Sequence, residues 1–266
     1  MKTIEINRDN LAYWQKRLPE QIMALGFFDG LHKGHLQVIE TAKKEAQSKN
    51  LALSVMSFFP HPKSVLSDGK VKVDYLMPLK EKEKRLKKLG VDYFFVVQFD
   101  KQLASLSPEN FVESYLVDLG IVHAVCGFDY TYGHRGAGNM SRLKLDSRNR
   151  IEVTEVPKVE CYGEKISSTL IRKSLAEGKV NYIHKLLGKP YQIEWNTKTG
   201  LSPFYTLPAA GRYYASIQGA GGSVNCIVFV TNDGQLVFNQ LPFSNEAQLS
   251  ISWHYQVRSK ACREIS

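Results

Sequence analysis

The sequence predicts an α/β fold, with a parallel sheet over residues 1–187 followed by a small antiparallel β-barrel-like domain over residues 188–266. Three observations lead there. Near-continuous apolar runs alternate with amphipathic ones through the first part, the rhythm of strands covered on both faces by crossover helices. That rhythm stops at Leu187-Gly188-Lys189-Pro190. Beyond it, short apolar runs are separated by turn signals, as in an antiparallel domain.

Residues 22–28 (IMALGFF) and 51–59 (LALSVMSFF) read as buried strands. Between them Leu36, Ile39, Ala42, Lys43 and Ala46 fall at helical spacing. Residues 78–89 form a charged helix closed by Gly90, and residues 93–97 a third strand. Ser107 and Pro108 open a helix over 107–119 that ends at Gly120. Residues 121–126 and 151–156 are the fourth and fifth strands, and 169–177 a helix stopped by Gly178. Right-handed crossovers join such strands. In the second part, 191–195, 211–218, 225–230, 235–239 and 249–257 read as strands. Turns at 220–223 and at Asn232-Asp233-Gly234 separate some of them, and Asp-Gly is a strong hairpin signal.

Composition narrows the classes. The 266 residues are 43% apolar and 23% charged, which excludes wholesale disorder. No run of 18 uncharged apolar residues is present to span a membrane, and the start, MKTIEINRDN, lacks the apolar core of a secretory signal. Cys126, Cys161, Cys226 and Cys262 lie far apart with no CxxC pair, so reduced thiols in a cytoplasmic protein are expected. The net charge of +9 is uneven: residues 1–190 hold 30 Lys+Arg against 22 Asp+Glu, and residues 191–266 hold 5 against 4. The first part would therefore attract a polyanion, a nucleic acid or a nucleoside triphosphate. No arginine-rich helix or RNA-reading aromatic motif supports the former.

The first strand runs directly into Gly26-Phe27-Phe28-Asp29-Gly30-Leu31-His32-Lys33-Gly34-His35 and then a helix. In open α/β sheets ligands bind beyond the carboxyl ends of strands, where helix N-termini offer free N–H groups. His32 and His35 are three apart and can project to one side, and Gly34 admits a phosphate closely. Two imidazoles there can stabilise charge at phosphorus; the alternative is a helix start whose histidines cap it or face solvent. Ser167-Ser168-Thr169 precede a helix and can cap it or cradle phosphate, with Arg172 one turn on. Phe58-Phe59-Pro60-His61-Pro62 makes a rigid apolar turn fit to hold a flat ring, or simply core packing plus a turn. Tyr130 and Tyr132 point the same way after the fourth strand. Asp129 points oppositely, toward a magnesium-bound phosphate, a ribose or an amide edge, or into a structural turn. Asp29 reads as more structural than catalytic, bonding to its own loop.

Four ordered segments resemble the nucleotidylyltransferase superfamily in the form of bacterial FAD synthetases, over about residues 20–190. They are the G-x-F-D-G-x-H-x-G-H stretch ending at His35, F-x-P-H-P ending at Pro62, Gly127 to Gly133 with Gly138-Asn139 following, and I-S-S-T-x-I-R from Ile166 to Arg172. The resemblance implies a Rossmann-like nucleotidylyltransferase domain that moves AMP from ATP to FMN, giving FAD and pyrophosphate by in-line attack. It implies that His32 and His35 bind the α-phosphate, while Arg172 with Ser167, Ser168 and Thr169 holds the β and γ phosphates. Gly26, Phe27, Phe28, Asp29 and Gly34 would lie along the nucleotide. Phe59, Pro60, His61, Pro62, Asp129, Tyr130 and Tyr132 would flank the flavin. Mg²⁺ would bridge phosphate oxygens through ligands the sequence does not identify. Partners would be the small molecules ATP and FMN, with neither nucleic acid nor membrane.

The chain departs from the pattern in three places. Phe27 stands where the family has Asn, and Tyr130 and Tyr132 where it has Phe. The riboflavin kinase barrel that usually follows carries a G-x-P-T-A-N segment, and residues 200–208 contain none. Residues 207–214 resemble the later P-x-x-G-x-Y strand start, so the tail reads as a shortened, kinase-deficient relic. Two alternatives stand beside this reading: an adenylyl- or cytidylyltransferase with another acceptor, and a catalytically weak flavin- or nucleotide-binding regulatory paralogue. No P-loop, dinucleotide fingerprint, nucleophile elbow or HExxH helix is present.

Overall fold

Strands that are apolar on both faces must be covered on both, and the first part of the chain meets that demand with a parallel sheet. The computed structural model describes residues 1–201, 205–239, 243 and 246–257. Its first elements are β1 (Lys2–Ile6), α1 (Arg8–Gln15), β2 (Gln21–Leu25), α2 (Lys33–Lys49), β3 (Ala52–Phe59), α3 (Pro62–Leu66) and α4 (Leu79–Lys88). Then follow β4 (Tyr93–Gln98), α5 (Lys101–Ser105), α6 (Pro108–Val112) and β5 (Ile121–Gly127). The short strands β6 (Thr131–Tyr132) and β7 (Gly138–Asn139) precede α7 (Met140–Asp146) and β8 (Glu152–Val156).

The sheet runs β1-β4-β3-β2-β5-β8, and every neighbouring pair is parallel. From β2 the chain steps outward to β3 and β4, then returns to place β5 on the other side of β2. The carboxyl end of β2 is therefore the topological switch point, where such sheets bind ligands. All five residues of β2 are buried, as are Val55, Met56, Phe94, Phe95, Ala124 and Val125 on its neighbours.

Several features differ from the sequence expectation. β1 and α1 were not expected; Ile4 and Ile6 bury alternate positions of an edge strand, and Asn7 caps α1 with a reciprocal bond to Asn10. The first strand stops at Leu25 instead of 28, because Phe28 reverses the chain. The helix expected over 107–119 is α6 followed by a π-helical turn at Glu113–Val117. Helix α7, capped by Asn139, was also not expected.

A second compact unit combines Asp74–Pro78 with the chain from Glu160 onward, while the first comprises Met1–Val73 and Leu79–Val159. It contains the hairpin β9 (Glu160–Cys161) and β10 (Glu164–Lys165), then α8 (Ser168–Ala176) and α9 (Val180–Leu187). Six strands follow: β11 (Tyr191–Asn196), β12 (Gly200–Leu201), β13 (Gly211–Gly219), β14 (Gly222–Val230), β15 (Leu236–Phe238) and β16 (Gln248–Gln256). They form an antiparallel half-barrel in the order β12-β11-β16-β13-β14-β15. Its inner face carries Tyr191, Ile193, Tyr213, Ala215, Ile217, Ile251 and Trp253, all buried. Helix α9 buries Val180, Ile183, Leu186 and Leu187 and packs on β16 and β11. The periodicity changes at 188, but this packing assigns α8 and α9 to the β unit, and the compact units divide at 159/160. Tyr75 bridges to Tyr205, and the Thr206 N–H donates to the Tyr75 carbonyl at 2.9 Å, so residues 74–78 belong with the second unit. Among the described residues Cys126, Cys161 and Cys226 are free thiols; Cys262 and residues 202–204 lie outside them.

Candidate active site

The turn after β2 is shaped by steric fit. Phe28 has φ 53° and its ring lies over Gly26, where an added Cβ would come within 3.0 Å of it. Glycine at 26 is what lets the ring fold back. Phe28 and Asp29 are each 1% exposed, so this turn presents mainly Gly26 and Phe27.

Helix α2 then starts on His32. Its Nδ1 accepts the His35 backbone N–H at 3.3 Å, satisfying one of the first-turn donors. With Nδ1 accepting, the ring proton sits on Nε2, which becomes a donor. The His35 ring stacks on His32 with centroids 3.6 Å apart and planes at 17°, and Phe28 packs edge-on to His35 at 5.3 Å. Gly34 lies half-buried between the two histidines. The first unit thus brings both imidazoles together at the amino end of a 17-residue helix, where the dipole favours anions. Capping and pairing are combined in His32, whereas the sequence offered them as alternatives.

One residue here escaped the sequence reading. Lys82 of α4 is 2% exposed, and its Nζ donates to the Phe27 carbonyl at 2.8 Å and to Ser57 Oγ at 3.0 Å. Ser57 Oγ also donates to the Phe27 carbonyl, at 2.8 Å. The ammonium lies 5.0 Å from the Phe27 ring centroid, a cation–π contact. Burial pulls Lys82 down from the usual 10.5 to about 8, with the Asp29 carboxylate pulling it back upward. The charged helix resembled a solvated one, yet Leu79, Lys82, Leu86 and Leu89 are spaced 3, 4 and 3 apart. A lysine on that stripe was the available signal.

Beyond β3, Phe59 is 40% exposed and Pro60 exposed, and the Phe59–Pro60 peptide is cis. His61 and Pro62 are half-buried; His61 Nδ1 accepts the Lys63 N–H at 3.1 Å and caps α3, with Pro62 in its first turn. The Phe27 ring meets His61 at 4.5 Å with planes at 64°. The structure therefore brings the turn after β2 against the turn after β3.

The segment after β5 separates its two tyrosines by burial. Tyr130 is half-buried, and burial drives its hydroxyl well above 10. Tyr132 is 5% exposed within the core, its ring over Gly138 and 5.8 Å from Phe111. Its hydroxyl donates to Asp146 Oδ2 at 2.5 Å, and Arg142 clasps the same carboxylate through Nε at 2.9 Å. Burial and that bond raise the Tyr132 pKa. Tyr130 stacks on it at 6.1 Å, on the same side as expected from their spacing. Tyr132 is thus buried in the core with the Tyr130 ring against it. Asp129 is exposed.

In the second unit, Ser167 caps α8, its Oγ accepting the Leu170 N–H at 3.1 Å. Ser168 is half-buried and Thr169 exposed in the first turn. Arg172 is half-buried, and its guanidinium Nη2 donates to the Asp74 carbonyl at 3.3 Å. No helix of the described residues is long and apolar enough to cross a membrane.

Residues 14–170 match the family described as FAD synthetase. The chain is 48% identical over 171 residues to a bifunctional riboflavin kinase/FMN adenylyltransferase of Listeria monocytogenes, covering 64% of this chain and 54% of that protein. It is 34% identical over 288 aligned positions to the Bacillus subtilis protein of the same description, covering 98% and 91%. A crystal structure of a macrolide-efflux protein from Streptococcus pneumoniae superposes with a TM-score of 0.84 at 26% identity, covering 98% of this chain and 92% of that one. The chain thus spans about half the length of the first relative and nearly all of the second.

Proposed function

The chain belongs to the FAD synthetase family, and on that premise we propose that it transfers the adenylyl group of ATP to FMN, giving FAD and pyrophosphate. An FMN phosphate oxygen attacks the α-phosphorus, and pyrophosphate leaves from the opposite side. The nucleophile is already anionic, so no general base is needed; positioning and charge stabilisation carry the reaction.

The observation that carries this reading is the stacked His32–His35 pair at the start of α2, at the switch point of a parallel sheet. There the Nε2–H of His32 and the His35 ring donate to the α-phosphate as its charge grows, together with the helix dipole. Arg172, with Ser167, Ser168 and Thr169, holds the β and γ phosphates; a guanidinium suits them because its fork is bidentate and always charged. Gly26 and Phe27 underlie the nucleotide. Phe59, Pro60, His61 and Pro62, with Tyr130 and Asp129, receive the flavin, and Tyr132 supports Tyr130 from behind. Among the described residues no group of three His, Cys, Asp or Glu forms a ready metal site. A magnesium ion carried on the ATP phosphates would supply neutralisation of oxygen charge. The tail lacks the G-x-P-T-A-N segment, and the chain makes no FMN from riboflavin.

Incubation with ATP, Mg²⁺ and either FMN or riboflavin, with products separated chromatographically, tests this. FAD and pyrophosphate are expected from FMN and nothing from riboflavin. No FAD from FMN would refute the transfer; FMN from riboflavin would restore the kinase.

A further inference from the structure

Lys82 carries a buried ammonium. It lies on the apolar stripe of α4 between Leu79 and Leu86, and at 2% exposure it has given up nearly all its water. Its loss would orphan no backbone group, because Ser57 Oγ already donates to the Phe27 carbonyl at 2.8 Å. Buried charges are often replaceable by apolar side chains of similar volume without loss of stability. What the charge adds is location. Both its carbonyl partner and the Asp29 carboxylate facing it belong to the turn that leads into His32 and His35.

We propose that Lys82 is a positioning residue for the nucleotide: it fixes the turn between β2 and α2 in the form that receives ATP and, through the Phe27 ring, ties that turn to the His61 turn. The inference rests on the adenylyl-transfer reading above and deepens it. Three elements meet in the arrangement. Strand β3 supplies the Ser57 hydroxyl, the turn supplies the Phe27 carbonyl and the Asp29 carboxylate, and α4 supplies the ammonium. The Phe27 ring lies 5.0 Å from Lys82 Nζ and 4.5 Å from the His61 ring, so it spans from the buried cation to the turn after β3. The tether uses the backbone oxygen of residue 27, so it survives phenylalanine at that position. The aromatic ring there adds the link to His61 that an asparagine side chain would lack.

The role separates from mere packing by its readouts. Wild-type protein and Lys82→Met are compared by thermal unfolding at pH 7, by calorimetric titration with Mg·ATP from pH 7 to 9.5, and by FAD formation. The variant is expected to melt at or above the wild-type temperature while kcat/KM for ATP falls roughly 10²-fold, the scale set by an ångström-sized misplacement. Wild-type affinity for ATP should weaken above about pH 8, where the ammonium loses its proton, and the variant's should not follow that change. Unchanged ATP affinity and turnover in a folded variant would overturn the proposal, as would losses that only track a lower melting temperature. Should Lys82→Met not fold, the wild-type titration decides alone: a flat profile from pH 7 to 9.5 overturns the role. Wild-type protein that binds ATP but makes no FAD would sink the proposed reaction instead, and the pH dependence of its ATP affinity would still judge Lys82.

Discussion

The cost of burying Lys82 is itself measurable. Folding lowers its pKa from 10.5 to about 8, and at about 1.4 kcal/mol per tenfold change this corresponds to roughly 3 kcal/mol. Between those values the unfolded chain keeps a proton that the folded chain has released. The unfolded state therefore binds more protons, and stability must rise with pH across that window. Below pH 8 both states are charged at this site and the full burial cost is present; above 10.5 it is gone. Many other groups titrate in the same range, so the useful quantity is the gap between wild type and Lys82→Met, which cancels them. Urea unfolding followed by circular dichroism at pH 7, 8, 9, 10 and 10.5 gives that gap. It should move in favour of wild type by about 3 kcal/mol, mostly between pH 8 and 10.5. A gap constant to within about 0.5 kcal/mol, or one moving the other way, would refute the premise that the lysine is desolvated when charged.

The remaining predictions concern the site and its scaffold. His35→Ala should lower FAD formation by roughly 10²–10³ while ATP binding, measured by calorimetry, falls much less, because the imidazole acts on charge that develops during transfer. Near-normal turnover would remove His35 from the mechanism. Gly133→Ala should destabilise by about 1–3 kcal/mol in urea unfolding. The residue has φ 71°, and a new Cβ would lie 2.8 Å from the Pro108 backbone, so neither rotation nor a side-chain shift relieves it.

Much of the parallel sheet was legible because its central strands are apolar on both faces, a pattern that needs no tertiary information. β1 was not, since KTIEI buries only Ile4 and Ile6 and is stabilised by pairing with a strand 91 residues later. The end of the first strand was misplaced because Phe27 and Phe28 continue the apolar run, and only the ring folding over Gly26 reverses the chain. At the site, the histidine pair was legible from spacing, since i and i+3 on a helix are neighbours. The different burial of Tyr130 and Tyr132 was not. Both alternate correctly, but only the Asp146–Arg142 clasp shows which is anchored inside. Phe27 stands where the family has a polar side chain, yet the bond to Lys82 at that position is made by its backbone oxygen. Lys82 stayed hidden because seven of the ten residues in α4 are charged besides it, and charge masked the stripe.

Residues 74–78 interrupt one unit and serve the other, so the polypeptide passes from the first body to the second, back, and across again. No single cut in such a thread yields two whole parts. Ending the chain at 187 would strip Tyr75 of its bridge to Tyr205 and leave the apolar side of α9 without the strands that cover it. The strands of the β tail form the wall against which α9 packs.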